Sequence, residues 1–291
     1  MSTAVSTHSH PRPRFRLPSG MALINWLCGG WTALIFVFLY LPILLLIVYS
    51  FNKSDLNVIW TGFTFDWYAS LWHNGPLIDA LKNSLIIASI TTVLSVLLGT
   101  SGAWLLHRYR FPALKTVTTL IFVPMVIPEI IMGVSLLIFF TVLSDPLNNW
   151  LAHFTDSEFG LGYTTVIIAH TTFCFPFVLI AVQARLAGVD PFLEEAALDL
   201  GAPPWKAFLF VMVPYLLPAI VSGALMAFTL SMDEYIVTLF TTGPESQTLT
   251  LKVFGMAKKG LDPSLNAIST VFILATSVLV VLAEMVRKIN R

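Results

Sequence analysis

Thr32-Ala33-Leu34-Ile35-Phe36-Val37-Phe38-Leu39-Tyr40-Leu41-Pro42-Ile43-Leu44-Leu45-Leu46-Ile47-Val48-Tyr49 lies inside a stretch from Leu17 to Asn52 that holds no charged side chain. A hydrocarbon layer of roughly 30 Å is crossed by about 20 apolar residues in a helix, and this run exceeds that need. Comparable charge-free stretches recur between Lys82 and His107, Glu158 and Arg185, Lys206 and Asp233, and Asp262 and Glu284. One more, Thr116 to Ser144, is interrupted only by Glu129. Composition points the same way: of 291 residues 56% are hydrophobic and 11% charged, against about 25% charged in a soluble domain. The sequence therefore predicts an all-α integral membrane protein with six transmembrane helices. Arg12, Arg14 and Arg16 before the first run imitate a signal peptide. The run is too long for an h-region of about 7–15 residues and lacks a small-residue cleavage site, so it reads as a retained helix.

Basic residues orient the spans. With the N-terminus inside, Arg12, Arg14, Arg16, Arg108, Arg110, Lys115, Arg185, Lys206, Arg287, Lys288 and Arg291 fall on the cytoplasmic side, and Lys53, Lys82, Lys252, Lys258 and Lys259 outside. Eleven against five obeys the positive-inside rule. The bias is strongest in the short loop from His107 to Lys115, whereas Asp145 to Gly162 carries three acids and no Lys or Arg. Both termini are expected to be cytoplasmic, with residues 1–16 a polar tail and 17–291 a transmembrane domain. In the first outer loop Trp60, Trp67, Tyr68 and Trp72 suit either an interfacial aromatic belt or a docking surface for an external partner.

Several function classes are excluded. The 16 basic and 16 acidic side chains cancel, leaving no basic field for nucleic acid. No phosphate loop of the form G-x-x-x-x-G-K-[ST] occurs, so the chain does not itself bind and hydrolyse ATP by that mechanism. H-E-x-x-H, C-x-x-C and G-x-S-x-G are absent too, which removes the commoner metalloprotease, redox and hydrolase readings. Cys28 and Cys174 both lie in apolar segments and read as packing residues. No metal or cofactor is expected on this chain.

The inner loop from residue 183 to 210 is the longest and least ordinary. Asp190 is a good N-cap, Pro191 suits the first helical position, and Glu194 falls where a carboxylate favours the positive end of a helix. Gly201 offers a left-handed residue, and Pro203-Pro204 forbids continuation. A short helix from Pro191 to Leu200 is predicted, exposing Glu194, Glu195 and Asp199 beside small Ala196 and Ala197. Two readings stand: a knob that enters a groove on a soluble partner, and an amphipathic connector lying on the bilayer.

At this point the chain resembles a known family. Glu195-Ala196-Ala197, three residues, Gly201, nine residues and Val211-Met212-Val213-Pro214 are similar to the EAA motif of bacterial ABC importer permeases, E-A-A, x3, G, x9, I-x-L-P. Val211 and Val213 replace Ile and Leu, a change of bulk only. Within the family the chain looks most like the second permease of polyamine importers, through Phe65-Asp66-Trp67-Tyr68, Val123-Pro124 with Pro128-Glu129, His170-Thr171-Thr172-Phe173-Cys174, Ala227 to Glu234, Thr242-Gly243-Pro244, and Pro263 with Asn266-Ala267. Permeases of that kind carry Asp where this chain has Glu129 and Glu234, which keeps charge and lengthens reach. The resemblance implies an inner-membrane subunit that moves putrescine or spermidine. Its implied partners are a second homologous permease, two cytoplasmic ATP-binding subunits that hold ATP and Mg, an external substrate-binding protein and membrane lipid. Glu194, Glu195, Ala196, Ala197, Asp199, Gly201 and Pro214 would couple it to the ATPases. Importers of another small organic cation or an amino-acid-like solute, a proton-coupled secondary transporter and a membrane scaffold are the competing readings.

Glu129 is expected about 13 residues into the third helix, near the bilayer centre, where insertion of an acid costs roughly 2.5–3.5 kcal/mol. A role in the substrate path, a protonated packing group and a contact with the other permease are its three readings. Asp233 and Glu234, at the end of the fifth helix, suit either two ammonium groups on a flexible chain or a solvated loop start. Phe173, Phe228 and Tyr235 could add cation–π attraction; His170, the one histidine in a helix interior, is assigned to the same path, with helix packing as its commoner reading. The third and fifth helices also share V-P-x-x-x-P-x-I-x-x-G, from Val123 and from Val213. It is either a parallel repeat or two independent uses of proline at helix starts.

Overall fold

Long apolar runs fold into helices because a backbone surrounded by lipid must satisfy its own hydrogen bonds. A computed structural model describes residues 19–54, 59–151, 153, 159–190, 192–259 and 263–289; the expected tail, 1–16, and Pro191 lie outside the described residues. The elements are α1 (Ser19–Tyr49), α2 (Asp66–His73), α3 (Gly75–Arg108), α4 (Leu114–Val126), α5 (Glu129–Leu151), α6 (Tyr163–Leu186), α7 (Phe192–Asp199), α8 (Pro204–Ala207), a π-helical turn (Phe208–Met212), α9 (Val213–Asp233), α10 (Ile236–Thr241), α11 (Leu249–Lys259) and α12 (Pro263–Ile289). Among the described residues the one β-type pairing is the bridge Asn52–Phe63.

Five stretches are long and apolar enough to cross a membrane: the run Ile24–Tyr49 of α1, α3, Glu129–Trp150 of α5, α6, and the continuous run Pro204–Asp233. The apolar parts Leu114–Val126 and Pro263–Val278 are shorter. The predicted third helix is thus corrected: it is two helices, α4 and α5, with Ile127 extended at ψ 132°. Pro128 forces this, since its ring disfavours helical backbone at the residue before it. The proline echo breaks here too. Pro128 ends a helix, while its counterpart Pro218 sits inside α9.

α3, α6 and α9 form the core. Val178 of α6, fully buried, lies between two glycines: a Cβ on Gly99 of α3 would be 2.7 Å from Val178 Cβ, and one on Gly223 of α9 would be 3.0 Å from its Cγ1. Small residues at such crossings let backbones approach closely, the main source of helix association in lipid. The inward face of α3 continues the pattern with Ala80, Ser84, Ala88, Thr91, Ser95 and Ala103, all buried. α1 is exposed from Ile24 to Leu45 and has α12 as its chief neighbour. Its C-terminal end is organised by buried Asn52, whose Nδ2 donates to Ile59 O at 2.9 Å while its Oδ1 accepts the Thr61 N–H at 3.0 Å. The Trp67 indole donates to Asn52 O at 2.8 Å, and Phe51 stacks on Phe63 at 5.2 Å. Trp67 and Tyr68 are thereby tied into the loop, whereas Trp60 and Trp72 remain exposed.

Candidate functional site

Two helix breaks meet in one region. α5 begins at Glu129, directly after Pro128, so Glu129 stands in a first helical turn and is exposed on the surface of the chain, not in mid-helix as its sequence position suggested. α9 ends at Asp233, and Glu234, with ψ 115°, turns the chain into α10. α10 packs closely on α5: a Cβ on Gly133 would be 2.6 Å from Phe240 Cδ2. This packing brings Glu129 within electrostatic reach of Glu234, whose neighbour in the chain is Asp233. Among the described residues, none of the three acids pairs with a Lys or Arg.

Glu234 is only 7% exposed. Its Oε1 accepts the Val237 N–H at 2.9 Å, so the carboxylate satisfies one of the orphan donors at the start of α10. Its carbonyl accepts the Thr238 hydroxyl at 2.9 Å. With that hydrogen committed, Thr238 Oγ1 accepts from His170 Nε2 at 2.8 Å, and Nδ1 accepts from Ser231 Oγ at 2.8 Å. His170 thus has both ring nitrogens occupied and no exposure. It joins α6 to both sides of the α9–α10 break and holds the acid's backbone in place.

The three aromatic residues lie in three different surroundings. Phe173 is buried in the core beside Phe177. Phe228 lines an apolar cavity of about 500 Å³ with Tyr68, Trp72, Leu81 and Phe272. Tyr235 lies 4.2 Å from Phe254 and shares a separate cavity with Lys252 and Lys258. Asp233 is exposed and opens onto a cavity of about 210 Å³ with Thr250 and Ser269. Ser222, Met226 and Thr229 continue that exposed face of α9, while Gly223, Ala227 and Ser231 face inward. Sequence reasoning missed this stripe, although its three- and four-residue spacing was there to be found. Ser231 and Thr238 escaped notice because hydroxyls in apolar helices usually bond their own backbone.

At the other end, Asp190 Oδ1 accepts the Phe192 N–H at 3.0 Å, as an N-cap should. α7 ends at Asp199, and Gly201 adopts φ +85° with its N–H donating to Leu198 O at 2.9 Å. Glu195, Ala196 and Asp199 are exposed, with Phe192 and Leu200, the latter 89% exposed. Glu194 departs from the expected exposed face. It forms an ion pair with Arg108 at the end of α3. Pro214 stands in the first turn of α9, just past the π-helical turn.

A bundle of membrane-length helices, broken twice beside clustered acids and carrying an exposed short helix at one end, defines a membrane permease. The chain belongs to the family of binding-protein-dependent transport system inner membrane components, which matches residues 95–290. It is 37% identical over 260 residues to the spermidine/putrescine transport system permease protein PotC of Escherichia coli (strain K12), covering 89% of this chain and 93% of that protein. It is 38% identical over 244 residues to the putrescine transport system permease protein PotI of the same strain, covering 84% of each. A subunit in the crystal structure of a bacterial alginate ABC transporter, bound to its alginate-loaded periplasmic protein, shares the fold at a TM-score of 0.73 and 18% identity, over 94% of this chain and 98% of that one.

Proposed function

We propose that this chain is one of two permease subunits of an ATP-driven importer and carries a polyamine, putrescine or spermidine, across the bacterial inner membrane. The observation that carries the substrate class is the gathering of Glu129, Asp233 and Glu234 at two helix breaks with no basic side chain among the described residues paired to them. Acids in such a place favour a multiply charged cation, whose ammonium groups supply the missing partners. Relatives named for spermidine and putrescine transport support the same substrate. Discontinuous helices beside a substrate path are a recurring transporter device, because they free backbone and side-chain groups at depth.

In this reading six segments cross the membrane, α4 and α5 together making one, and both termini are cytoplasmic. An external binding protein delivers the amine. Two cytoplasmic ATPase subunits, which hold ATP and Mg, grip α7 through Glu195, Ala196, Asp199 and the apolar Phe192 and Leu200. Glu194, Ala197, Gly201 and Pro214 shape that segment. His170 and Phe173 support the path from behind. Reconstitution tests the assignment: with the cognate ATPase, second permease and binding protein in proteoliposomes, labelled putrescine or spermidine should accumulate only when ATP and binding protein are both present. ATP-dependent entry of neither amine would overturn the substrate class, and accumulation without ATPase would overturn the importer class.

A further inference from the structure

Helix ends of opposite sign meet where α3 stops and α7 starts. The last turn of α3 carries His107 and Arg108, and the first turn of α7 carries Glu194 and Glu195. Each charge relieves the dipole of its own helix end. Only one from each side joins the other: Arg108 Nη1 and Glu194 Oε1 form an ion pair whose side chains are 27% and 15% exposed. The guanidinium also lies 5.6 Å from the Trp104 ring and 5.8 Å from the Tyr109 ring. Trp104 in turn packs on Phe208 at 4.6 Å, the first residue of the π-helical turn. The last two turns of α3 therefore hold this segment at two points, at Glu194 within α7 and at Phe208 after it.

We propose that Arg108 is a positioning residue for energy coupling: through Glu194 it clamps α7 to the end of α3, so that the two move as one body. A push on the knob then enters α3, and with it the core of α3, α6 and α9, instead of being absorbed by rotation of a loosely hung helix. A partly buried ion pair contributes little net stability, but removing one member strands the other charge, so the pair resists being opened. This inference rests on the importer reading, and it departs from the simpler assignment of Glu194 to the ATPase contact.

The test uses the assembled importer in proteoliposomes, purified through a tag on this chain, with uptake and ATP hydrolysis measured together. Arg108→Glu and Glu194→Arg should each retain the ATPase subunits and binding-protein-stimulated hydrolysis. Uptake per ATP should fall about tenfold, within the range for residues along a coupling network. The exchange Arg108→Glu/Glu194→Arg should recover most of that loss, short of full because each charge then opposes its helix dipole. A covalent link provides a second arm that does not depend on charge. Arg108→Cys/Glu194→Cys in a Cys28→Ser background, bridged by a short bis-maleimide that adds one thiol to each ring, should transport at the rate of the unlinked pair or faster. Single reversals that import normally, an exchange no better than its parts, or a bridge that stops transport would each overturn the clamp. Loss of the ATPase on Glu194→Arg with Arg108→Glu unaffected would assign Glu194 to the ATPase contact instead. If the parental complex shows no ATP-dependent uptake, the importer reading fails, which is a separate result.

Discussion

A glutamine at position 234 would keep an oxygen for the Val237 N–H and lose only the charge, so it separates the cap from the path. Glu234→Gln should express and assemble normally while polyamine uptake falls about 10- to 100-fold, the worth of one charge-assisted hydrogen bond. Asp233→Asn and Glu129→Gln, at exposed positions, should lower uptake less, and their effects should shrink between low and high salt because exposed charges are screened over about 8 Å. Uptake at two ionic strengths checks the order; equal losses at all three positions would show that burial does not grade them. Gly99→Ala probes packing by the same logic. Its new methyl would meet Val178 Cβ at 2.7 Å and the Leu179 backbone nitrogen at 3.0 Å. Overpacking of this kind costs about 1–3 kcal/mol, to be read as a lower melting temperature in detergent. The acids were legible in the sequence because an acid in an apolar run is conspicuous. Their convergence was not, because it depends on α10 folding back against α5.

Prolines inside helices show why element boundaries were harder to read. Pro42, Pro124, Pro146, Pro176 and Pro218 all lie within helices, whereas Pro128 divides one. A hydropathy sum passes through every one of them alike, and the neighbouring helices that decide whether freed carbonyls find partners are invisible in a single segment. Pro128→Ala should allow α4 and α5 to fuse, moving Glu129 away from Glu234; the expected result is normal insertion with uptake lost, and unchanged uptake would show that the break is not needed. The short helix α7 and its flanks were read far better, because caps and left-handed glycines are local. Asp190 and Gly201 behave as their residue types predict. Gly201→Asp must adopt φ +85° with a side chain, at roughly 1–2 kcal/mol. It should loosen ATPase recovery in pull-downs while leaving the amount of membrane-inserted chain unchanged. Glu194 was misread as exposed because its partner, Arg108, comes from a helix remote in sequence and served there as a marker of orientation.

Across the whole molecule, charge-free runs were enough to announce a multi-span membrane protein, since lipid imposes one requirement on every residue that crosses it. Sidedness is an expectation, drawn from basic residues concentrated at one set of loops. Reporter fusions after Ser54 and Phe159 should read as external and those after Arg110 and Pro203 as cytoplasmic; inversion at any two would overturn the orientation. The crossing at which Val178 sits between Gly99 and Gly223 has a mechanical consequence. A tightly fitted side chain between two bare backbones blocks sliding and leaves pivoting, so it serves as a fulcrum. Along α3 the arm from Gly99 to Arg108 is ~14 Å and the arm from Gly99 to Gly75 is ~36 Å at the helical rise. The lever is unequal and favours travel over force: were α3 to pivot there as a rigid rod, ~2 Å at the short end would become ~5 Å at the far one.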